Sequence, residues 1–105
     1  MANDLNTATL SGTLASDAES YKKEDLVVTR MQVDVDGASE NDATATFKVV
    51  AFGATAEASR DFKAGDRVVL SGPLKQRRDS REPVEIQARI LIRIRPELLE
   101  HAARE

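Results

Sequence analysis

Residues 44–74 read TATFKVVAFGATAEASRDFKAGDRVVLSGPL, and a change of period inside this stretch decides the fold. From Thr44 to Phe52 the apolar residues alternate, which is the signature of a half-buried strand. Phe47, Val49 and Ala51 share one face of it; Thr46, Lys48, Val50 and Phe52 share the other. Alternation then stops. Ala54–Phe62 is rich in alanine without a β-branched run and predicts a short helix, with Ala58 and Phe62 four residues apart and facing the core. Gly65 follows as a stop signal. Asp66–Leu74 returns to a strand, and Pro73 puts its end at a sheet edge.

Working outward, residues 6–15 predict a first strand, with Ala8, Leu10, Gly12 and Leu14 on one face and a bulge or sharp bend at Gly12. Leu26–Val35 predicts a second strand, with Val27, Thr29, Met31, Val33 and Val35 opposite Val28, Arg30, Gln32 and Asp34. The polar residues between them, Ser16–Asp25, form a loop or a frayed hairpin, and Asp36–Asp42 forms a second exposed loop. Downstream, Arg77–Pro83 is a charged loop. Val84–Ile94 predicts a single fifth strand, with Val84, Ile86, Ala88, Ile90, Ile92 and Ile94 on one side. Pro96 opens a last helix carrying Leu98, Leu99, Ala102 and Ala103 as an apolar stripe. Three strands, a helix and two strands give an all-β protein: a five-stranded OB-fold barrel with a helix between strands three and four and a short C-terminal helix. The expected organisation is one barrel domain over residues 1–95 and a helical extension over 96–105.

Composition narrows the function. The chain has 105 residues, enough for one domain, and 41% of them are apolar, enough for one core. With no cysteine, a disulfide scaffold and a cysteine-zinc site are excluded. The lone histidine, His101, is the fifth residue from the end and leaves no histidine-based metal cluster or Ser-His-Asp triad in the body of the chain. There is no phosphate-cradling glycine loop and no carboxylate pair of distinctive spacing, so the chain is read as a binding protein without a cofactor, not an enzyme. Its apolar runs are too short for a membrane span or a secretory h-region, so a soluble cytoplasmic domain is expected. The net charge of −3 hides an asymmetry. Residues 1–45 carry three basic and nine acidic side chains, whereas residues 75–95 carry seven basic and three acidic ones. A basic face on an acidic protein suits a polyanion, although ordinary charge mixing on a solvated surface gives the same count.

Two segments resemble the bacterial single-stranded DNA-binding protein family. One is Asn6–Glu19, an asparagine leading a strand of the form xxxLxGxLxxDAE; the other is Phe47–Leu74, with its Phe-Gly turn, helix, Lys-x-Gly and closing Ser-Gly-x-Leu. Together they span about 42 of the 105 residues. The departures are equally specific. The chain has no tryptophan; Thr46 and Asp79 stand where the family commonly places one, and the family's glycine/proline/glutamine-rich tail is missing. It is similar to an aromatic-poor, tail-less member, a description that also fits the primosomal replication protein N group. The resemblance implies sequence-independent binding of single-stranded DNA in replication, repair or recombination, association as a dimer or tetramer, and replication proteins as further partners. The alternative it leaves open is a protein-interaction module of a replication-restart assembly with secondary DNA contact.

Such binding requires a cationic groove and flat side chains on which bases stack. Phe52, on the same strand face as Lys48, is the stacking candidate, unless it closes one end of the barrel. Phe47 points to the core. Tyr21, beside Lys22 and Lys23, clamps a base or is an ordinary half-exposed tyrosine. Lys75, Arg77, Arg78 and Arg81 at the end of strand four either contact phosphates or form a solvated hairpin tip. Arg30 lies on the outward face of strand two. Arg89 and Arg93 serve the groove or an intersubunit surface.

Overall fold

The computed structural model describes residues 4–76 and 84–94. Its elements follow the alternation closely. β1 (Ala8–Leu14) leads to a hairpin of β2 (Glu19–Lys23) and β3 (Leu26–Val35). A 3-10 turn at Glu40–Asp42 connects to β4 (Ala45–Phe52), which runs directly into α1 (Gly53–Ala58). β5 (Arg67–Gly72), the two-residue β6 (Leu74–Lys75), β7 (Glu85–Gln87) and β8 (Ile90–Ile94) complete the sheet. The strand order is β6-β7-β4-β3-β1-β5-β8, with β2 paired to β3. All pairs are antiparallel except β4 with β7. The loop-or-hairpin alternative at residues 16–25 resolves as a hairpin, turning at Glu24 with φ of +59°.

The sheet curls around one core of Leu14, Met31, Val33, Val49, Phe62, Val68, Leu70, Ile86 and Ala88. Phe47 packs against this cluster, as expected. Gly12 marks the bend in β1: a Cβ there would run into the Asp34 carbonyl and the Val33 side chain, so only glycine lets β1 cross so close to β3. Beyond that crossing, β1 pairs with β5 from Ala8↔Gly72 to Thr13↔Arg67. Asn6 extends the contact, donating to the Leu74 carbonyl and accepting from the Leu74 N–H, both at 2.9 Å.

Two expectations are corrected. The helix is shorter than residues 54–62. It ends where the Ser59 hydroxyl bonds back to the carbonyls of Thr55 and Ala56, at 2.9 and 3.2 Å, and competes with the helical backbone. Ala56 is the buried helical residue, Ala58 is exposed, and Phe62 reaches the core from the following turn. The fifth strand is two strands. β7 lies parallel to β4, β8 lies antiparallel to β5, and the chain passes from one partner to the other at Ala88 and Arg89. Ala88 N–H donates to the Val50 carbonyl (2.8 Å) and Arg89 N–H to the Ser71 carbonyl (2.9 Å). The ladder is therefore not closed hydrogen bond by hydrogen bond; this crossing segment bridges its two ends. One residue lost from the ladder inverts the faces that follow. Ile86 and Ala88 are buried, but Ile90 and Ile92 are each 57% exposed, while Leu91 packs on the core. With β7 and β8 counted as one strand, and β2 and the two-residue β6 as additions, β1, β3, β4, β5 and β7–β8 make the five-stranded OB-fold, with α1 between its third and fourth strands. The expected helix from Pro96, with Leu98, Leu99, Ala102 and Ala103, lies outside the described residues.

Candidate nucleic-acid interface

The outward residues of β2, β3, β4 and β7 form one curved face, and strand register sets them in rows. Tyr21, Val28 and Phe52 sit side by side on β2, β3 and β4. The next row is Glu19, Arg30, Val50 and Gln87, and Gln32 beside Lys48 follows. Lys75 is paired with Glu85 at the β6–β7 margin. Neighbouring strands lie about 4.8 Å apart, so the Tyr21 and Phe52 backbones are separated by about 10 Å with Val28 between them. Both rings reach solvent: Phe52 is 38% exposed and Tyr21 43%. Phe52 does not plug the barrel. It faces outward at the end of β4, in alternation with Lys48 and Val50, and Gly53 then turns the chain into α1 with φ of +62°.

A groove of about 240 Å³ runs along this face, lined by both rings, Lys23, Arg30, Lys75 and Glu85 among others. A second groove of about 210 Å³ lies on the other side of Arg30 and includes Asp17, Glu19, Gln32 and Lys48. Arg30 is the wall they share. Its Nε donates to the Tyr21 hydroxyl (3.0 Å) and its Nη1 to Glu85 Oε2 (2.7 Å). Burial works against the charge of this guanidinium. The hydrogen bonds to Tyr21 and Glu85 and the negative charge of Glu85 more than offset it, so the pKa lies above the usual arginine value. Arg30 is therefore a fixed positive charge.

Of the eight candidates read from the sequence, the structure gathers Phe52, Lys48, Lys75, Arg30 and Tyr21 on this one face. Arg77, Arg78 and Arg81 lie outside the described residues. Arg93 turns the other way. Its guanidinium stands 4.9 Å from the centre of the Phe62 ring and meets Asp66 at 3.4 Å and Asp61 at 3.6 Å, which makes it a part of the barrel end. Arg89 is exposed at the crossing between β7 and β8. Glu85 was absent from the sequence candidates. Its alternation with Val84 and Ile86 put it on the outward face, but nothing in the pattern announced that it would be 7% exposed and bonded to Arg30. Among the described residues there is no group of three or more metal-ligating side chains and no helix long and apolar enough to cross a membrane.

Known proteins supply the remaining comparison. The SSB domain of a Synechococcus sp. protein superposes with a TM-score of 0.72 at 26% identity, over 87% of this chain and 98% of that one. The single-stranded DNA binding protein from Thermus aquaticus shares the fold, with a TM-score of 0.75 at 24% identity over 87% of this chain. A deletion mutant of the Thermus protein gives 0.74 at 24% identity over 89%. The chain spans less than half the length of these two Thermus chains, 41% and 44% respectively. No curated protein matches the sequence. The model of the single-strand binding protein family matches residues 5–94, nearly the whole chain. The chain belongs to that family, a non-catalytic one of OB-fold proteins.

Proposed function

We propose that this chain binds single-stranded DNA without sequence preference, across the outward face of β2, β3, β4 and β7. The observation that carries the reading is the Tyr21–Val28–Phe52 row: two exposed rings in register with each other, in a groove that Lys23 and Lys75 also line. One base on each ring contributes about 1–3 kcal/mol, and Lys23, Arg30, Lys48 and Lys75 supply the backbone contacts. About four neutralised phosphates give a log–log salt slope near −3 at about 0.7 per contact. Affinity per domain is modest, since a family member with several tryptophans offers more stacking surface. Two or four copies raise it by avidity. The surface for self-association is the outward face of β1, β5 and β8, where Ile90 and Ile92 stand beside Ser71 and Val69. The setting is replication, repair or recombination in the cytoplasm.

Fluorescence anisotropy of a labelled oligo(dT) at low salt tests the proposal. An absence of binding at about 50 mM salt, among the most permissive conditions, would overturn it. A duplex that competes as well as a single strand would remove base stacking as the mechanism. The second reading, a protein-interaction module of a replication-restart assembly, rests on the exposed Ile90 and Ile92, and it gains if DNA binding is lost altogether.

A further inference from the structure

We propose that Glu85 is a positioning residue for nucleic-acid binding: its carboxylate holds the Arg30 guanidinium, which holds the Tyr21 hydroxyl and so sets that ring for stacking. The inference rests on the function proposed above.

A carboxylate on a surface that receives phosphates is a liability unless it does something else. Glu85 is almost buried, with its side chain 9% exposed, and it meets Arg30 at 2.7 Å. Arg30 then reaches across to β2 and donates to Tyr21 at 3.0 Å. That second bond matters for the ring and not for the strand: the ladder to β3 and the Ser20–Thr29 hydroxyl contact hold the β2 backbone, but they do not fix the Tyr21 side chain. All five of its residues are exposed, and it pairs with β3 alone. A tyrosine on such a strand is free to change rotamer, and each stacked base would then have to order it. The planar guanidinium has donors in a fixed fork and serves both partners at once. The relay spans three elements, β7 to β3 to β2, and sets one ring at the mouth of the 240 Å³ groove.

The proposal reverses the sign that simple electrostatics gives. Removing a negative charge from a DNA-binding face ordinarily tightens binding. Here Glu85→Gln is expected to weaken oligo(dT) binding about three- to tenfold. Glu19→Gln is the control: it removes an equal charge from the same face, beside Arg30 in register but outside the relay, and is expected to tighten binding slightly. Glu85→Gln binding as tightly as the unaltered chain, or more tightly, would overturn the proposal. A readout without DNA is available, because Tyr21 is the only tyrosine and there is no tryptophan. Polarised tyrosine emission of the free protein is expected to fall in Glu85→Gln as the ring is released; unchanged polarisation would overturn the relay. Should Glu85→Gln not fold by circular dichroism, two variants decide. Arg30→Lys, which cannot serve both partners, is expected to lower the same polarisation, and Tyr21→Phe, which keeps the ring and loses the hydroxyl, to weaken DNA binding; no change in either overturns the proposal. If the unaltered chain binds no oligonucleotide, the proposed function fails, while the emission measurement still judges the relay.

Discussion

The two outward faces of the barrel are built on the same alternation and end up chemically opposite. On β2, β3, β4 and β7 the outward positions carry Tyr21, Lys23, Arg30, Lys48, Phe52 and Glu85. On β1, β5 and β8 they carry Thr9, Ser11, Thr13, Val69, Ser71, Ile90 and Ile92, with Arg67 as the charge at the margin. Even that charge is tied down, since Arg67 Nη1 donates to the Thr13 hydroxyl at 3.0 Å. Both faces cover the same core. The inward residues therefore specify the barrel, and the outward ones specify what it meets. A face of rings and cations suits a flexible polyanion. A face of hydroxyls and isoleucines repels nothing of its own kind, and it is costly to leave in water.

The contrast can be broken outright at Gly12. Gly12→Val pushes a branched side chain into the Asp34 carbonyl, a backbone atom that cannot yield, and both faces depend on that crossing. The expected cost is about 3 kcal/mol or more, read as a fall of about 12 °C or more in the thermal midpoint. Retained stability would mean that β1 does not bend there. The DNA side alone is tested by Phe52→Ala, expected to weaken oligo(dT) binding by about 1–3 kcal/mol with little change in stability. Unaltered affinity would move the site to another face. Its counterpart is Ile92→Glu, expected to weaken self-association about tenfold or more while leaving the affinity for a short oligonucleotide intact. Light scattering and anisotropy on the same sample separate these effects, and loss of both together would mean the faces are not independent. The smallest expected effect is that of Lys75→Gln: a salt slope shallower by about 0.7, with the loss spread evenly over base sequences. An unchanged slope would exclude a phosphate contact at Lys75.

Much of this was legible in the sequence because alternation is a strong signal when one face is buried. It placed Phe47 inward and Phe52 with Lys48 outward, and the structure agrees. The same signal misled at residues 84–94. Apolar residues at every second position look like one strand, yet the chain changes partner at Ala88 and Arg89 and Ile90 turns out to solvent. Nothing in an alternating string marks a one-residue slip. Tyr21 could be named but not placed, since ESYKK has no apolar face and its neighbour Val28 is set only by hairpin register. Glu85 was hidden for a related reason. Its significance comes from Arg30, 55 positions away in the chain, and no local pattern carries that.

The crossing at Ala88 and Arg89 has a kinetic consequence. β4 and β5 are each left with an unpaired edge until residues 85–94 dock. Until that segment docks, both borders are open to pairing with another chain. Folding dominated by such distant pairings is slow compared with that of a helical bundle of equal size. Aggregation before the sheet is complete is then governed by how promptly residues 85–94 dock.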